Sequence, residues 1–75
     1  MSKEMLVDTW SSIYSNLIDL GVKLDAADAA GEDYVLIEGR EFSVENAFHK
    51  YDHMYANLLR LEKEAIERGI TLLPL

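Results

Sequence analysis

Two histidines at positions 49 and 53 come nearest to a spacing that could support chemistry. Residues four apart on a helix share a face, so His49 and His53, with Glu45 and Asp52 nearby, could bind zinc or another divalent cation. A catalytic zinc helix carries glutamate directly after its first histidine, whereas this chain carries Lys50, which repels a metal ion. The pattern is more typical of two histidines on a solvated helix face. We therefore expect no metal or cofactor.

Other catalytic patterns are missing from the sequence. The chain has no cysteine, which excludes disulfides, thiolate metal sites and a cysteine nucleophile. No serine or threonine lies in a nucleophile elbow, and the four glycines are isolated, so there is no glycine-rich phosphate loop. A chain of 75 residues can barely enclose a pocket of the usual volume, roughly 300 Å³ or more. The sequence therefore predicts a protein that is not an enzyme.

The charge balance argues against further classes of function. Fourteen Asp and Glu stand against seven Lys and Arg, for a formal net charge of -7. Nucleic-acid binding depends on cationic side chains that neutralise phosphates, and anionic membranes repel an acidic surface. The first residues lack the apolar core of a signal peptide. We expect a soluble domain of intracellular type that binds neither membranes nor nucleic acid tightly.

The first element that would position any site is an amphipathic helix over about residues 3–30. The sequence predicts Ser2 as its N-cap and Gly31 as its stop. We expect Gly21 to kink or fray the helix, because glycine costs about 1 kcal/mol there relative to alanine. Apolar residues recur at steps of three and four, at Leu6, Trp10, Ile13, Tyr14, Leu17 and Leu20 or Leu24.

A tight β-hairpin is predicted next. Residues 34–37 and 40–42 are short extended segments, and a Glu-Gly pair separates them. We expect Gly39 at positive φ, because the favoured two-residue turns require it. Arg40 follows the turn at the tip of the domain, and we expect it to contact a partner. The alternative for Arg40 is a local ion pair with Glu38 or Glu41.

A second helix is predicted from an N-cap at Ser43 to a stop at Gly69. A heptad-like seam runs along it at Ala47, Tyr51, Met54, Leu58, Leu61 and Ala65. Val44, Phe48, Tyr55 and Ile66 widen this apolar face, which indicates contacts on two sides. We expect the aromatic residues to form mainly core, with some facing a neighbouring chain: Trp10, Tyr14, Tyr34, Phe42, Phe48, Tyr51 and Tyr55.

These elements predict a small α+β domain of residues 1–69, with two helices flanking a hairpin, followed by an apolar C-terminal arm of residues 70–75. One interpretation of the arm is a frayed tail. The other is an extended segment that leaves the domain, is mobile in the free chain and docks on a partner. Its partner-binding candidates are Ile70, Leu72, Leu73 and Leu75.

The hairpin segment carries a resemblance to a known family. Residues 34–43 read Tyr-Val-Leu-Ile-Glu-Gly-Arg-Glu-Phe-Ser. They resemble the pattern tyrosine, x, isoleucine, x, glycine, arginine, x, leucine, threonine in the head-to-tail joining (head completion) proteins of tailed phages, of the lambda W type, and in their short relatives. There too, a first helix ends in small residues and a glycine, as in residues 26–31 here. The second helix ends in a glutamate-bearing leucine pattern, as in residues 58–62. The resemblance covers about residues 17–67.

This resemblance implies a structural protein without catalysis. Such proteins assemble as a homo-oligomeric ring, similar to a dodecamer, beneath the portal, and they contact the portal and the tail or neck proteins. The implied location is the neck of the virion, after synthesis in the host cytoplasm. The lambda-type member is more basic than this acidic chain, which argues against direct contact with packaged DNA.

Two other classes remain open at this point. An acidic inhibitor or DNA mimic would occupy a nucleic-acid-binding surface of a host or phage enzyme. The scatter of carboxylates around both helices argues against it. A coiled-coil dimeriser or a two-helix antitoxin-like protein would use the seam of the second helix but leave the hairpin unexplained.

Overall fold

The computed structural model describes residues 1–73 and consists of two helices that flank a hairpin. The elements in chain order are α1 (Lys3–Ala29), β1 (Tyr34–Ile37), β2 (Arg40–Ser43) and α2 (Val44–Glu67). The predicted α+β domain, with its helix–hairpin–helix order, is therefore confirmed. Pro74 and Leu75 lie outside the described residues.

Both helices begin and end where local chemistry predicts. The hydroxyls of Ser2 and Ser43 each accept a hydrogen bond from the backbone N–H three residues ahead, at 3.1 Å. Gly31 and Gly69 both have φ +67°, and the residue after each glycine donates its N–H to a carbonyl five residues earlier, at 2.9 and 2.8 Å. These bonds form Schellman caps, which satisfy carbonyls that the helix ends would otherwise leave unpaired.

The helix α1 continues through Gly21, so the prediction that it frays there is wrong. The helix is continuous from Lys3 to Ala29. A Cβ placed on Gly21 would lie 3.4 Å from Cε2 of Tyr51, on α2. This is an ordinary van der Waals distance, so the contact does not require glycine. The burial of Leu20 and Leu24 beside it outweighs the low helix propensity of glycine.

The hairpin has a two-residue turn. The strands are antiparallel, with Ile37 opposite Arg40, and the turn is Glu38-Gly39. Both turn residues have positive φ, +52° for Glu38 and +76° for Gly39, which defines a type I′ turn. The prediction for Gly39 is confirmed, whereas the strained conformation of Glu38 was not foreseen. The second strand extends one residue further than expected, to Ser43.

The core lies between the helices and continues under the hairpin. Tyr51 and Met54 pack against both of its clusters and join them. The cluster at the hairpin end contains Leu20, Leu24, Ala27, Val35, Ile37 and Ala47, with Phe42 and Val44 packed against it. The cluster at the opposite end contains Trp10, Leu17 and Leu58, with Ile13, Tyr14, Leu61 and Leu72 packed against it.

The molecule is rod-shaped. Its principal extents are 43 × 18 × 18 Å and its radius of gyration is 14.3 Å, against about 11 Å for a compact domain of this length. At the end away from the hairpin, Arg68 Nη1 donates a hydrogen bond of 2.7 Å to the carbonyl oxygen of Met1. This bond joins the start of α1 to the end of α2.

Candidate interaction surfaces

The two histidines are exposed on α2, as are Glu45 and Asp52. Among residues 1–73 there is no group of three or more His, Asp or Glu side chains placed to hold a metal ion. The i, i+4 pair of His49 and His53 is therefore not completed by a third ligand within the described part of the chain.

Arg40 is exposed at the tip of the hairpin, and its guanidinium lies over the ring of Phe42, 5.8 Å from the ring centroid. The two residues are two apart on β2 and so share a face of the strand. Within the described residues the one ion pair joins Arg68 to Glu64, at 3.5 Å. The alternative of a local ion pair for Arg40 is thus not found, and its role toward a partner stays a prediction.

The C-terminal arm divides into a packed part and an exposed part. Ile70 is half-buried, and its N–H forms part of the cap of α2. Leu72 is half-buried and packs against the cluster around Trp10. The prediction that the whole arm leaves the domain is therefore wrong, because the Schellman turn directs the chain back along the core. Leu73 is 67% exposed and stays a candidate contact, whereas Leu75 lies outside the described residues.

An exposed apolar stripe runs along α2 at Phe48, Tyr55, Leu59 and Ile66. These side chains are between 47% and 80% exposed. Their spacing of seven, four and seven residues places them on one side of the helix. The stripe is displaced by one residue from the buried seam, so it lies beside that seam and widens it.

A matching stripe runs along α1 at Tyr14, Ile18 and Val22. Tyr14 is half-buried and stacks on Trp10 with ring centroids 5.0 Å apart. Ile18 and Val22 are 49% and 64% exposed. On α1, these three side chains are rotated about the helix axis away from the buried side. The exposed stripe on α2 is rotated away from its own buried seam in the same sense.

The two stripes form one face of the helix pair. In an antiparallel pair, residues displaced in the same rotational sense from the contact line come to lie on the same side. Two contacts between the helices on this side support the placement of both stripes on one side. They are the approach of Tyr51 to Gly21 and the hydrogen bond of 3.3 Å from Trp10 Nε1 to Glu62 Oε1. We call this surface the helix face and define it by Tyr14, Ile18, Val22, Phe48, Tyr55, Leu59 and Ile66.

The hairpin covers the opposite side of the helix pair. There Ile37 and Glu38 line a cavity of about 310 Å³ together with Lys23 of α1 and Lys50 of α2. Helical periodicity places both lysines on the side away from the helix face.

A second apolar surface lies on the hairpin. Val35 and Ile37 point into the core, so the alternation of the strand leaves Tyr34 and Leu36 outside. Both are more than half exposed, and both line an open groove of about 780 Å³ against the C-terminal part of α1. Tyr34 is thus one of the aromatic residues that lie outside the core, because its position in the strand directs it outward.

The negative charge is concentrated at the hairpin end. Residues 19–52 carry nine of the fourteen carboxylates and three of the seven cationic side chains. They account for -6 of the formal net charge of -7. The opposite end of the rod is close to neutral. The carboxylates, which the sequence suggested were scattered, therefore form a gradient of negative charge along the long axis.

Comparison with protein-family models, with curated proteins and with solved structures finds no match to this chain. No helix within residues 1–73 is long and apolar enough to span a membrane.

Proposed function

We propose that this chain is a non-enzymatic head-to-tail connector of a tailed phage, which assembles as a ring below the portal in the neck of the virion. The observation that carries the proposal is the order α1–β1–β2–α2 with a two-residue Glu38-Gly39 turn followed by Arg40. It is the arrangement that the lambda W type resemblance implies. This support is an analogy at the level of fold and motif.

The distribution of apolar side chains supports a role in protein contacts. Eleven large hydrophobic side chains are exposed among the described residues, and they concentrate on the helix face and on the outside of the hairpin. Exposed apolar patches of this kind mark protein interaction sites. In the proposed assembly Arg40 and Leu73 contact the neighbouring subunit, the portal or the tail and neck proteins.

The charge gradient is compatible with a channel through which DNA passes. Carboxylates repel the phosphate backbone, so DNA would pass an acidic rim without being held. In a ring with the hairpin end toward the channel, residues 19–52 would form that rim. This role requires no tight binding of nucleic acid.

Co-purification tests the connector proposal. The full-length chain is produced together with the portal protein of the same genome, and complexes are isolated through a tag on the portal. The proposal predicts that the chain co-elutes with portal rings at physiological salt. Recovery of portal rings without the chain, from cells that contain folded chain in excess, would contradict the proposal.

One observation favours a second candidate function, an acidic inhibitor or DNA mimic. The carboxylates concentrated in residues 19–52 give one end of the rod a strongly negative surface. Such a surface fits the phosphate-binding site of a nuclease or polymerase. Tight binding to such an enzyme, abolished by competing duplex DNA, would favour this function over the connector.

A further inference from the structure

The free chain exposes more surface than its mass requires. A compact protein of 8.5 kDa exposes about 4,700 Å², whereas this chain exposes 5432 Å². The difference is roughly 700–800 Å², close to the 800 Å² or so that each partner buries in a standard protein interface. A rod of 43 × 18 Å offers one long side of about that area.

The helix face has the composition of such an interface. Between Tyr14 and Ile18 on α1 and Tyr55 and Leu59 on α2, the centre of the face is aromatic and aliphatic. Aromatic residues are enriched and charged residues depleted in the buried centre of protein interfaces. The lysines at positions 23 and 50 lie on the opposite side of the helix pair. The carboxylate of Glu62 lies on the side of the helix face, where it accepts a hydrogen bond of 3.3 Å from Trp10 Nε1.

We propose that the free chain pairs with a second copy of itself through the helix face, with the two rods antiparallel. Two helices from each copy then form a four-helix bundle in which the four stripes become a shared core. The inference does not depend on the connector function, because it concerns the protein before it meets any other partner.

The charge gradient selects the antiparallel orientation. A twofold axis along the rod would place the two hairpin ends together, and with them two segments of charge -6 each. A twofold axis across the rod places each acidic end beside the nearly neutral end of the other copy, which lowers the electrostatic repulsion. In this orientation Phe48 of one copy lies against Ile66 of the other, and Tyr55 lies against Leu59.

The molar mass in solution tests whether the pair forms. Light scattering on the full-length chain at roughly 100 µM, where mass action favours association, is expected to give twice the chain mass of 8.5 kDa. Leu59→Glu places a charge at the centre of the helix face, and we expect it to raise the dissociation constant at least tenfold with unchanged circular dichroism. Leu36→Glu, on the exposed side of the hairpin, is the matched control and should leave the dimer intact.

A monomeric mass for the unmodified chain at that concentration would overturn the proposal. Equal dimerisation of the Leu59→Glu and unmodified chains would overturn it as well, since the contact would then lie elsewhere.

Disulfide trapping tests the orientation, because the chain has no cysteine of its own. A tagged Phe48→Cys chain is mixed with an untagged Ile66→Cys chain and oxidised. The antiparallel pair predicts a cross-linked heterodimer, with little cross-linking of either variant alone. The two positions are 18 residues apart on α2, about 27 Å. In the antiparallel pair this distance also separates the two copies of one cysteine, which is too far for a disulfide.

If the two hairpin ends instead lay together, a different cross-link is expected, between Phe48→Cys and Val22→Cys. If that pair is trapped while Phe48→Cys with Ile66→Cys is not, the antiparallel arrangement is wrong.

Discussion

At the scale of single residues, the hairpin depends on a turn in which both residues have positive φ. Glycine adopts this conformation without a steric penalty, whereas Glu38 adopts it at φ +52°. The Glu-Gly pair after an apolar run was enough to predict the turn and the conformation of Gly39. It was not enough for Glu38, because glutamate itself gives no signal for positive φ. The register of the strands imposes that conformation.

Replacing Gly39 by valine should destabilise the protein. The backbone has φ +76°, and no atom beyond the two adjacent residues lies within 4 Å of an added Cβ, so the cost comes from backbone strain and not from a clash. We expect the free energy of unfolding to fall by more than about 1 kcal/mol, measured by urea denaturation. Gly39→Asn is the control, since asparagine tolerates this conformation. Equal stability of the two variants would show that the strain is absent.

Replacing Arg40 by alanine should affect assembly and not folding. The guanidinium is exposed and contacts the ring of Phe42, so its loss removes one weak surface interaction. We expect an unchanged melting temperature and reduced recovery of the chain on portal rings. Lys63→Ala removes another exposed positive charge, on α2, and serves as the control. If the Arg40→Ala chain is recovered on portal rings as well as the unmodified chain, Arg40 is an ordinary surface charge and does not contact a partner.

At the scale of elements, the sequence predicted what depends on local chemistry. Serine N-caps, glycine C-caps and apolar periodicity placed both helices within a residue or two of their observed ends. It did not predict what depends on tertiary contacts. The helix continues through Gly21 because the adjacent Leu20 and Leu24 are buried in the core, and Leu72 joins the core because the chain folds back after α2. The residues that these side chains pack against are distant in sequence, so no local pattern could reveal the contacts.

Gly21→Ala should stabilise the protein. Alanine is favoured over glycine in a helix by about 0.5–1 kcal/mol. The added methyl would meet Tyr51 Cε2 at 3.4 Å, which is an ordinary van der Waals distance. We expect a higher midpoint of urea unfolding with an unchanged slope. A lower midpoint would mean that α1 and α2 cannot accommodate a methyl group at this contact.

The C-terminal arm should show different effects at two neighbouring leucines. Leu72→Ala removes a half-buried side chain from the cluster around Trp10 and should lower the free energy of unfolding by about 1 kcal/mol, less than for a fully buried leucine. Leu73→Ala alters an exposed side chain and should leave stability unchanged. Equal effects in chemical denaturation would contradict the division of the arm into packed and exposed parts.

At the scale of the whole molecule, shape and charge determine what the chain can do. The breadth of the apolar pattern on α2 indicated contacts on two sides, and one of those sides is buried against α1. The sequence could not place the other side, because its position depends on how the two helices pair and where the hairpin packs. The sequence also could not predict the charge gradient, because the gradient arises only when the antiparallel helices bring the acidic segments to one end of the rod.

We propose that this protein joins other proteins as a ring component of a phage neck. Native mass spectrometry of portal rings mixed with the full-length chain tests it most directly. We expect one defined complex in which a fixed number of 8.5-kDa chains, matching the rotational symmetry of the portal, is added to each ring. Portal rings of unchanged mass in the presence of excess folded chain would show that the protein is not a connector.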